Sequence, residues 1–543
     1  MAITIVYALI LPALLLVPRT VTATPDGEIG DPEITGGQPL KICRSMAAEP
    51  SRGRPKQGLA FPDALPHPIC QRMSETETLF AALRQAAEPD VADAIERLVQ
   101  HAPDAALCRI NALDFASRAQ LGEERVIAGL LHATRLGLFD LNWNILCRSC
   151  GGVLDTNATL KTVTRPEYHC GFCAAGYEPI LDEVVEVTFT VNPRARRIAA
   201  HHPETLPPLD YLRQIFWSSG VDLPPTEAFA SVMEAVTLDS VELPPGDKAI
   251  LSLALPPGLA IVFDPVTHCA QFIEAKGEIT RERQSLTMRL DRSAVPAAMT
   301  TVRPGPIRLT IENRENARAL PGVWVAGPEL DQLLSRRRPF LSAKRLLTNQ
   351  TFRDTYHADT LDIDQRLKIT SLTFLFTDLK GSTALYDRVG DLVAYDLVRA
   401  HFRVLTEIVA AEAGAVVKTI GDAVMATFPT PNRAVAASLR MREAMLRLNE
   451  ERKRDDDLVL KIGIHEGPCL AVMLNERQDY FGQTVNIASR VQNLASSQAI
   501  YATGPVLGHQ ATAQLLDEAG VSPVPKRHTL RDIGDNLAIY EIP

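Results

Sequence analysis

Between Ser371 and Leu494 the chain runs an apolar strand into an acid, LTFLFTDLKGST, and later answers it with AVVKTIGDAVMATF. The first string reads as a strand ending at Asp378, then a glycine-containing turn and a helix start. The second reads as a β-hairpin with Gly421–Asp422 at its turn. Two carboxylates at strand ends form a place where a pair of divalent cations can be held. The backbone amides around Leu379, Gly381, Ser382 and Thr383, at the helix start, suit an anionic triphosphate. A long helical stretch separates the two strings. A helix from Asn432 to about Glu450 follows, then the strand LVLKIGIHEGPCLAVML and the string DYFGQTVNIASRV. Six polar residues therefore stand out: Asp378, Lys418, Asp422, Asp479, Asn486 and Arg490. The last two are four apart and share one helix face.

At 543 residues, the chain is too long for one core. Apolar and charged shares of 46% and 22% are those of a globular protein. A net charge of −9 provides no general basic field, so no nucleic-acid partner is expected. Ala2–Val17 is apolar and uncharged but contains Pro12, and is shorter than the ~20 residues that usually span a bilayer. Three readings stand: a weak membrane anchor, a signal peptide, or an upstream start with Met46 as the first residue. The last is preferred, because a triphosphate-binding domain and reduced thiols belong in the cytoplasm.

The expected organisation is an apolar segment and disordered linker over 1–68, then a helical, winged-helix-like region over 69–184. A β-rich domain at 185–345, a connector at 346–370 and an α+β domain at 371–543 follow. In the second region a short helix, a turn at Leu121–Gly122, a longer amphipathic helix and a strand come in succession. The longer helix has few basic residues, which favours an adaptor over a DNA reader. From 185 onward, short alternating runs beginning with VEVTFTV suggest an antiparallel β-sandwich. Helical segments around Pro208–Trp217 and Thr226–Val236 interrupt it.

Cys147-Arg-Ser-Cys150 and Cys170-Gly-Phe-Cys173 are two CxxC knuckles with nineteen residues between them. That is the spacing of a four-thiolate Zn²⁺ site with a structural role, since all four positions are filled by protein. A pair of redox dithiols is the competing reading. No thioredoxin-like βαβ pattern surrounds either motif.

Residues 371–542 resemble a class III adenylate/guanylate cyclase catalytic domain. The strings FTDLKGST, VVKTIGDAVMATF, KIGIHEGP and DYFGQTVNIASR carry the resemblance, in the family's order, over about a third of the chain. It implies a ferredoxin-like sheet with helices on one face, and head-to-tail homodimers with active sites at their interface. It further implies conversion of ATP to cyclic AMP, with two Mg²⁺ or Mn²⁺ ions per site held by Asp378, Asp422 and the backbone of Leu379. Asn486 would orient the ribose and Arg490 would face the transition state. Lys418 can donate to adenine N1 and Asp479 can accept from N6, whereas guanine would meet donor with donor. Guanylate cyclases of this family usually carry Glu and a small polar residue at those two positions. Arg531 stands where relatives usually have a triphosphate-binding lysine, and Arg is able to clamp phosphate. LFDLNWNILCRSCGG, YHCGFC and VVEVTFTVNP resemble a region found ahead of bacterial cyclase domains. This implies a regulatory module for an unknown ligand or protein.

Each of the six residues has an ordinary reading taken singly: Asp378 as a helix cap, Asp422 as a turn residue, Lys418 as a solvated lysine. Their joint order and spacing favours the site. A guanylate cyclase and a catalytically weak, nucleotide-sensing module are the alternatives.

Overall fold

The computed structural model describes residues 75–292, 299–356, 361–362, 364–381, 387–451, 458–474, 477–495, 498–526 and 537–543. The N-terminal segment with Met46, and Ser382, Thr383 and Arg531, lie outside the described residues. No helix among those described is long and apolar enough to cross a membrane.

Four helices open the described chain: α1 (Glu75–Ala86), α2 (Pro89–His101), α3 (Ala112–Ala119) and α4 (Glu123–Arg135). Asn111 caps α3 by accepting from the amides of Leu113 and Asp114, and left-handed Gln120 ends it (φ 54°). The expected helix–turn–helix–strand order is thus observed. The strand is β1 (Phe139–Leu146), which lies between β2 (Val153–Asn157) and β5 (Val185–Val191). VEVTFTV is β5, so it pairs with β1 and not with the downstream β-rich stretch. Alternation identifies a strand but does not choose its neighbour. A small hairpin, β3 (Tyr168–Cys170) and β4 (Ala175–Tyr177), carries the second cysteine knuckle.

Beyond helix α5 (Thr226–Val236), two sheets share one core. We number their strands β6 (Thr237–Ser240), β7 (Lys248–Leu255), β8 (Gly258–Phe263), β9 (Ala270–Ala275), β10 (Gln284–Leu290), β11 (Thr300–Val302), β12 (Gly305–Asn313) and β13 (Gly322–Val325). One sheet has the order β10-β12-β7 and the other β11-β9-β8-β13-β6. Both helical interruptions appear where expected, from Pro208 to Phe216 and as α5. The all-antiparallel expectation fails at two pairs: β10–β12 and β11–β9 run parallel.

Helices α6 (Ala343–Leu347) and α7 (Gln350–Thr355) lead into the C-terminal domain, whose first strand β14 (Leu367–Leu379) is central. It is followed by α8 (Asp391–Ala411), the hairpin β15 (Ala415–Ile420) and β16 (Ala423–Phe428), and α9 (Pro431–Glu451). Then come β17 (Leu460–Leu474), β18 (Arg477–Phe481), α10 (Gln483–Leu494) and β19 (Ile500–Thr503), with β20 (Val524–Lys526) and β21 (Ile539–Ile542) last. The sheet order is β15-β16-β14-β17-β19-β21-β20, and β18 pairs the outer half of β17.

β14 is buried on both faces. Leu375 and Leu379 join a core with residues of α8 and α9. Leu372, Phe374 and Phe376 face the other way, into a core that holds Ala488 of α10 and continues to Leu346, Leu347, Phe352 and Val126. The expectation of helices on one face is therefore corrected. A sheet face carrying two phenylalanines must be covered, and α10 together with the N-terminal half covers it. Gly463 and Gly467 on β17 let α10 lie close. A Cβ at Gly463 would sit 2.2 Å from the backbone nitrogen of Gln492. Gly463→Ala is expected to lower stability by about 1–3 kcal/mol through this overlap, read as a lower denaturant midpoint at unchanged slope.

Candidate active site

Asp378 is the penultimate residue of β14, cross-strand from Lys461. Asp422 lies in the two-residue turn between β15 and β16, where Ile420 faces Ala423 and Gly421 takes φ 64°. The pairing of Thr377 with Val424 brings this tip alongside the end of β14. Burial, and then the charge of Asp422, push the Asp378 carboxyl above its ordinary range; the charge of Lys461 opposes the shift. Asp422 Oδ2 is buried and has no hydrogen-bond partner among the described residues. Two interacting carboxylates, one with an orphaned buried oxygen, fit a divalent cation between them. Behind the hairpin, His401 on α8 is fully buried and its imidazole is pushed down to about 4 by burial. Of the amides assigned to phosphate, that of Leu379 hydrogen-bonds the Asp378 carboxylate. The amide of Lys380 donates to Val459 O at 2.9 Å. Gly381 turns the chain at φ 70°.

Lys418 and Asp479 stand on strands that are not sheet neighbours, β15 and β18, yet they meet. Lys418 Nζ donates to Asp479 Oδ2 at 2.5 Å, while Asp479 Oδ1 accepts from the Tyr480 amide at 2.8 Å. A register shift between Val416 and Lys418 bulges the strand at Val417. Arg353 of α7 donates to Val417 O (3.4 Å) and to Gln478 O (2.8 Å). One guanidinium thus holds the residues just before Lys418 and just before Asp479. Gln350 accepts from the Val416 amide (2.7 Å), and Tyr480 Oη donates to Leu347 O (3.3 Å).

Asn486 and Arg490 are both exposed on α10, about 40° apart around the helix. Gln492, two residues beyond Arg490, is buried against Gly463 of β17, and its side-chain nitrogen has no hydrogen-bond partner among the described residues. At about 100° per residue, Arg490 lies about 200° around α10 from Gln492. Arg490 therefore leaves the helix on a different side from Gln492, which faces β17.

The four cysteines converge. Their sulfurs lie within 4.8 Å of one another, with Cys150 Sγ to Cys170 Sγ at 3.8 Å. Tetrahedral thiolates about 2.3 Å from a zinc ion would sit about 3.8 Å apart. The amides of Cys150 and Gly152 donate to Cys147 Sγ and Cys150 Sγ, and Cys147 Sγ donates to the Tyr177 hydroxyl at 3.4 Å. Crowding of four sulfurs favours a thiolate at Cys147 and holds Cys170 and Cys173 protonated. A bound cation would remove that conflict.

Residues 365–521 match the adenylate and guanylate cyclase catalytic domain, and residues 73–354 match a family of unknown function, DUF5939. The chain belongs to the DUF5939 family and carries a class III cyclase domain. It is 30% identical over 184 residues to an adenylate cyclase of Streptomyces griseus, covering 33% of this chain and 42% of that protein. An uncharacterized protein of Mycobacterium tuberculosis is 33% identical over 142 residues, or 26% and 32% of the two chains. A receptor-type adenylate cyclase of Trypanosoma congolense is 25% identical over 209 residues, or 32% and 27%. The chain thus spans less than half the length of these relatives. A crystal structure of the adenylyl cyclase CyaB from P. aeruginosa aligns at 20% identity, covering 33% of this chain and 96% of that one, with a TM-score of 0.30.

Three residues of the cyclase site escaped sequence reasoning. Lys461 and Gln492 flank Asp378, and Arg353 braces the Lys418–Asp479 pair from outside the domain. Lys461 was recoverable by laying KIGIHEGP antiparallel to LTFLFTDL. Arg353 had no local signal, because its partners lie 64 and 125 residues away.

Proposed function

We propose that the cyclase domain converts ATP to 3′,5′-cyclic AMP and pyrophosphate in a homodimer, at sites shared between two copies. The Lys418–Asp479 pair carries this reading. In the free chain, donor and acceptor satisfy each other, and an adenine edge can replace that contact group for group, with N1 accepting from lysine and N6 donating to aspartate. Guanine would leave both groups opposed, and buried polar groups left unpaired give strong discrimination. The exposure of Arg490, on a different side of α10 from the one that faces β17, supports the shared site, in which the Asp378–Asp422 pair of one copy meets the arginine of another.

In the reaction, the ribose 3′-oxygen bonds to the α-phosphorus, the bond from that phosphorus to the β-phosphate bridging oxygen breaks, and the hydroxyl proton is lost. Asn486 from the second copy would hold the ribose so that the oxygen lies in line, which is a large part of the barrier for a ring closure. Arg490 beside it would stabilise charge growing on the α-phosphoryl oxygens. Asp378 and Asp422 would hold two Mg²⁺ or Mn²⁺ ions, which lower the pKa of the hydroxyl and neutralise the leaving oxygens. Gly381 and the segment after it, with Arg531, would receive the triphosphate. The cysteine tetrad would hold a structural Zn²⁺, and use of ATP would place the domain in the cytoplasm. Arg353 supports regulation by the N-terminal half, since any shift of α7 moves the base-reading strands.

Purified protein with Mn²⁺ or Mg²⁺ is expected to form cyclic AMP from ATP in preference to cyclic GMP from GTP. Asp378→Ala and Arg490→Ala are each expected to lower turnover by about 10²–10³ or more while leaving the circular dichroism spectrum unchanged. Mixing the two variants should restore activity through one intact site per heterodimer, and absence of rescue would refute sharing. Lys418→Glu combined with Asp479→Cys should shift the ratio of kcat/KM toward GTP. Metal analysis should find about one zinc per chain, and its chelation should open the Cys147–Cys173 region to protease. Zinc-free protein with an unchanged digestion pattern would dismiss the metal.

A further inference from the structure

A cavity of about 820 Å³ lies where the cysteine ribbon, β2 and the β-sandwich meet. Arg109, Arg165 and Arg292 line it, with Tyr168, Tyr211 and Phe272 as aromatic walls. The three guanidinium groups share an unusual property: none has a carboxylate within ion-pair distance among the described residues. Arg109 donates to Thr156 Oγ1 at 2.9 Å and to Ile215 O. Arg292 donates to Thr267 O at 3.2 Å and to Val266 O. Arg165 lies over the Tyr168 ring, 5.9 Å from its centre. Asp155, Glu167 and Asp291 also line the cavity without pairing with these three guanidinium groups, and the carboxylate nearest in effect to Arg109 is that of buried Glu186, beyond ion-pair distance. Arg289, also at the wall, is by contrast paired with Glu312.

Burial pulls Arg109 below its ordinary value, and the neighbouring Cys108, Glu186 and Tyr211 offset this only in part. The backbone there is unfavourable as well: Arg109 and His268, both at the cavity, take left-handed φ values of 49° and 61° without being glycine. His268 Nδ1 is buried with no hydrogen-bond partner among the described residues. An unsatisfied ring nitrogen and guanidinium groups with no ion-pair partner around one cavity are features that a bound ligand would resolve.

We propose that this cavity binds a small organic anion with a planar body, its carboxylate or phosphate taken by Arg109, Arg165 and Arg292 and its ring placed among Tyr168, Tyr211 and Phe272. Guanidinium forks match both headgroups, and the aromatic walls match a ring. Such a ligand would join the ribbon to the sandwich. On the far side of the ribbon, Glu178 pairs with Lys368, and Asp182 accepts from the amides of Thr370 and Ser371 on β14.

The test is titration of the full chain, free of nucleotide, with phenyl phosphate, benzoate and inorganic phosphate, followed by calorimetry and melting temperature. Phenyl phosphate or benzoate is expected to bind saturably at about 1 mM or below, and the tighter of the two identifies the headgroup. Arg165→Gln and Arg292→Gln, both at exposed positions, should each weaken binding about tenfold. Arg490→Ala should leave it unchanged, which separates this cavity from the nucleotide cleft. The proposal is overturned if none of the probes binds, if inorganic phosphate binds as tightly as the better aromatic probe, if binding survives in the Arg165→Gln/Arg292→Gln double variant, or if Arg490→Ala abolishes it.

Discussion

The architecture depends on a strand that must hide both of its faces. β14 puts leucines toward α8 and α9, and phenylalanines toward the opposite side. A domain with only the first pair of helices would leave Phe374 and Phe376 in water. Each is a large side chain whose burial contributes roughly 1.5–3 kcal/mol. α10 covers part of that face, and helices from the N-terminal half complete the cover. The same hydrophobic core therefore runs from the first helices to the catalytic sheet. The N-terminal half is a structural partner of the cyclase domain.

This sharing of a core is reinforced at the polar level where the sheet is irregular. Between Ile369 and Leu372 the β14–β17 ladder slips, and a slipped ladder leaves amides without cross-strand partners. Asp182, from the loop after the ribbon, accepts from both amides at that point, and Lys344 donates to Ser371 O at 3.0 Å. At the other irregularity, the bulge at Val417, the freed carbonyl is taken by Arg353. Both defects in the catalytic sheet are thus filled by side chains of the N-terminal half. A bulge is a low-cost place to grip a sheet, because its groups need a partner in any case.

The placement of much of the candidate site was legible because it is local. A strand tip, a two-residue turn with glycine, a four-residue helical repeat and a CxxC knuckle are each written in a few adjacent residues. Asp378, Asp422, Asn486, Arg490 and the cysteine tetrad fall on the elements that their strings suggested. What escaped was non-local. VEVTFTV pairs with β1, and two strand pairs run parallel, because alternation carries neither partner nor direction. Arg353 reads as one more residue of a polar connector until the fold brings it to two strands at once. The meeting of Lys418 with Asp479 was expected only as two sides of one base. The structure adds that they satisfy each other when no base is present.

That last contact has an energetic consequence. If this pair reads the base, as proposed, a nucleotide would displace an ion pair in which Asp479 is largely buried and Lys418 is partly exposed. The exposed lysine makes the pair weaker than a fully buried one, and the enclosed carboxylate makes a mismatched base costly. On that proposal the arrangement would trade some affinity for discrimination, since adenine would satisfy both groups and guanine neither. Because Arg353 holds the backbone on both sides of the pair, the spacing between donor and acceptor is set by the position of α7. A displacement of that helix would change how well an adenine edge fits before it changed anything at Asp378 or Asp422. The Lys418–Asp479 pair is thus held by a side chain of the N-terminal half through the backbone of Val417 and Gln478.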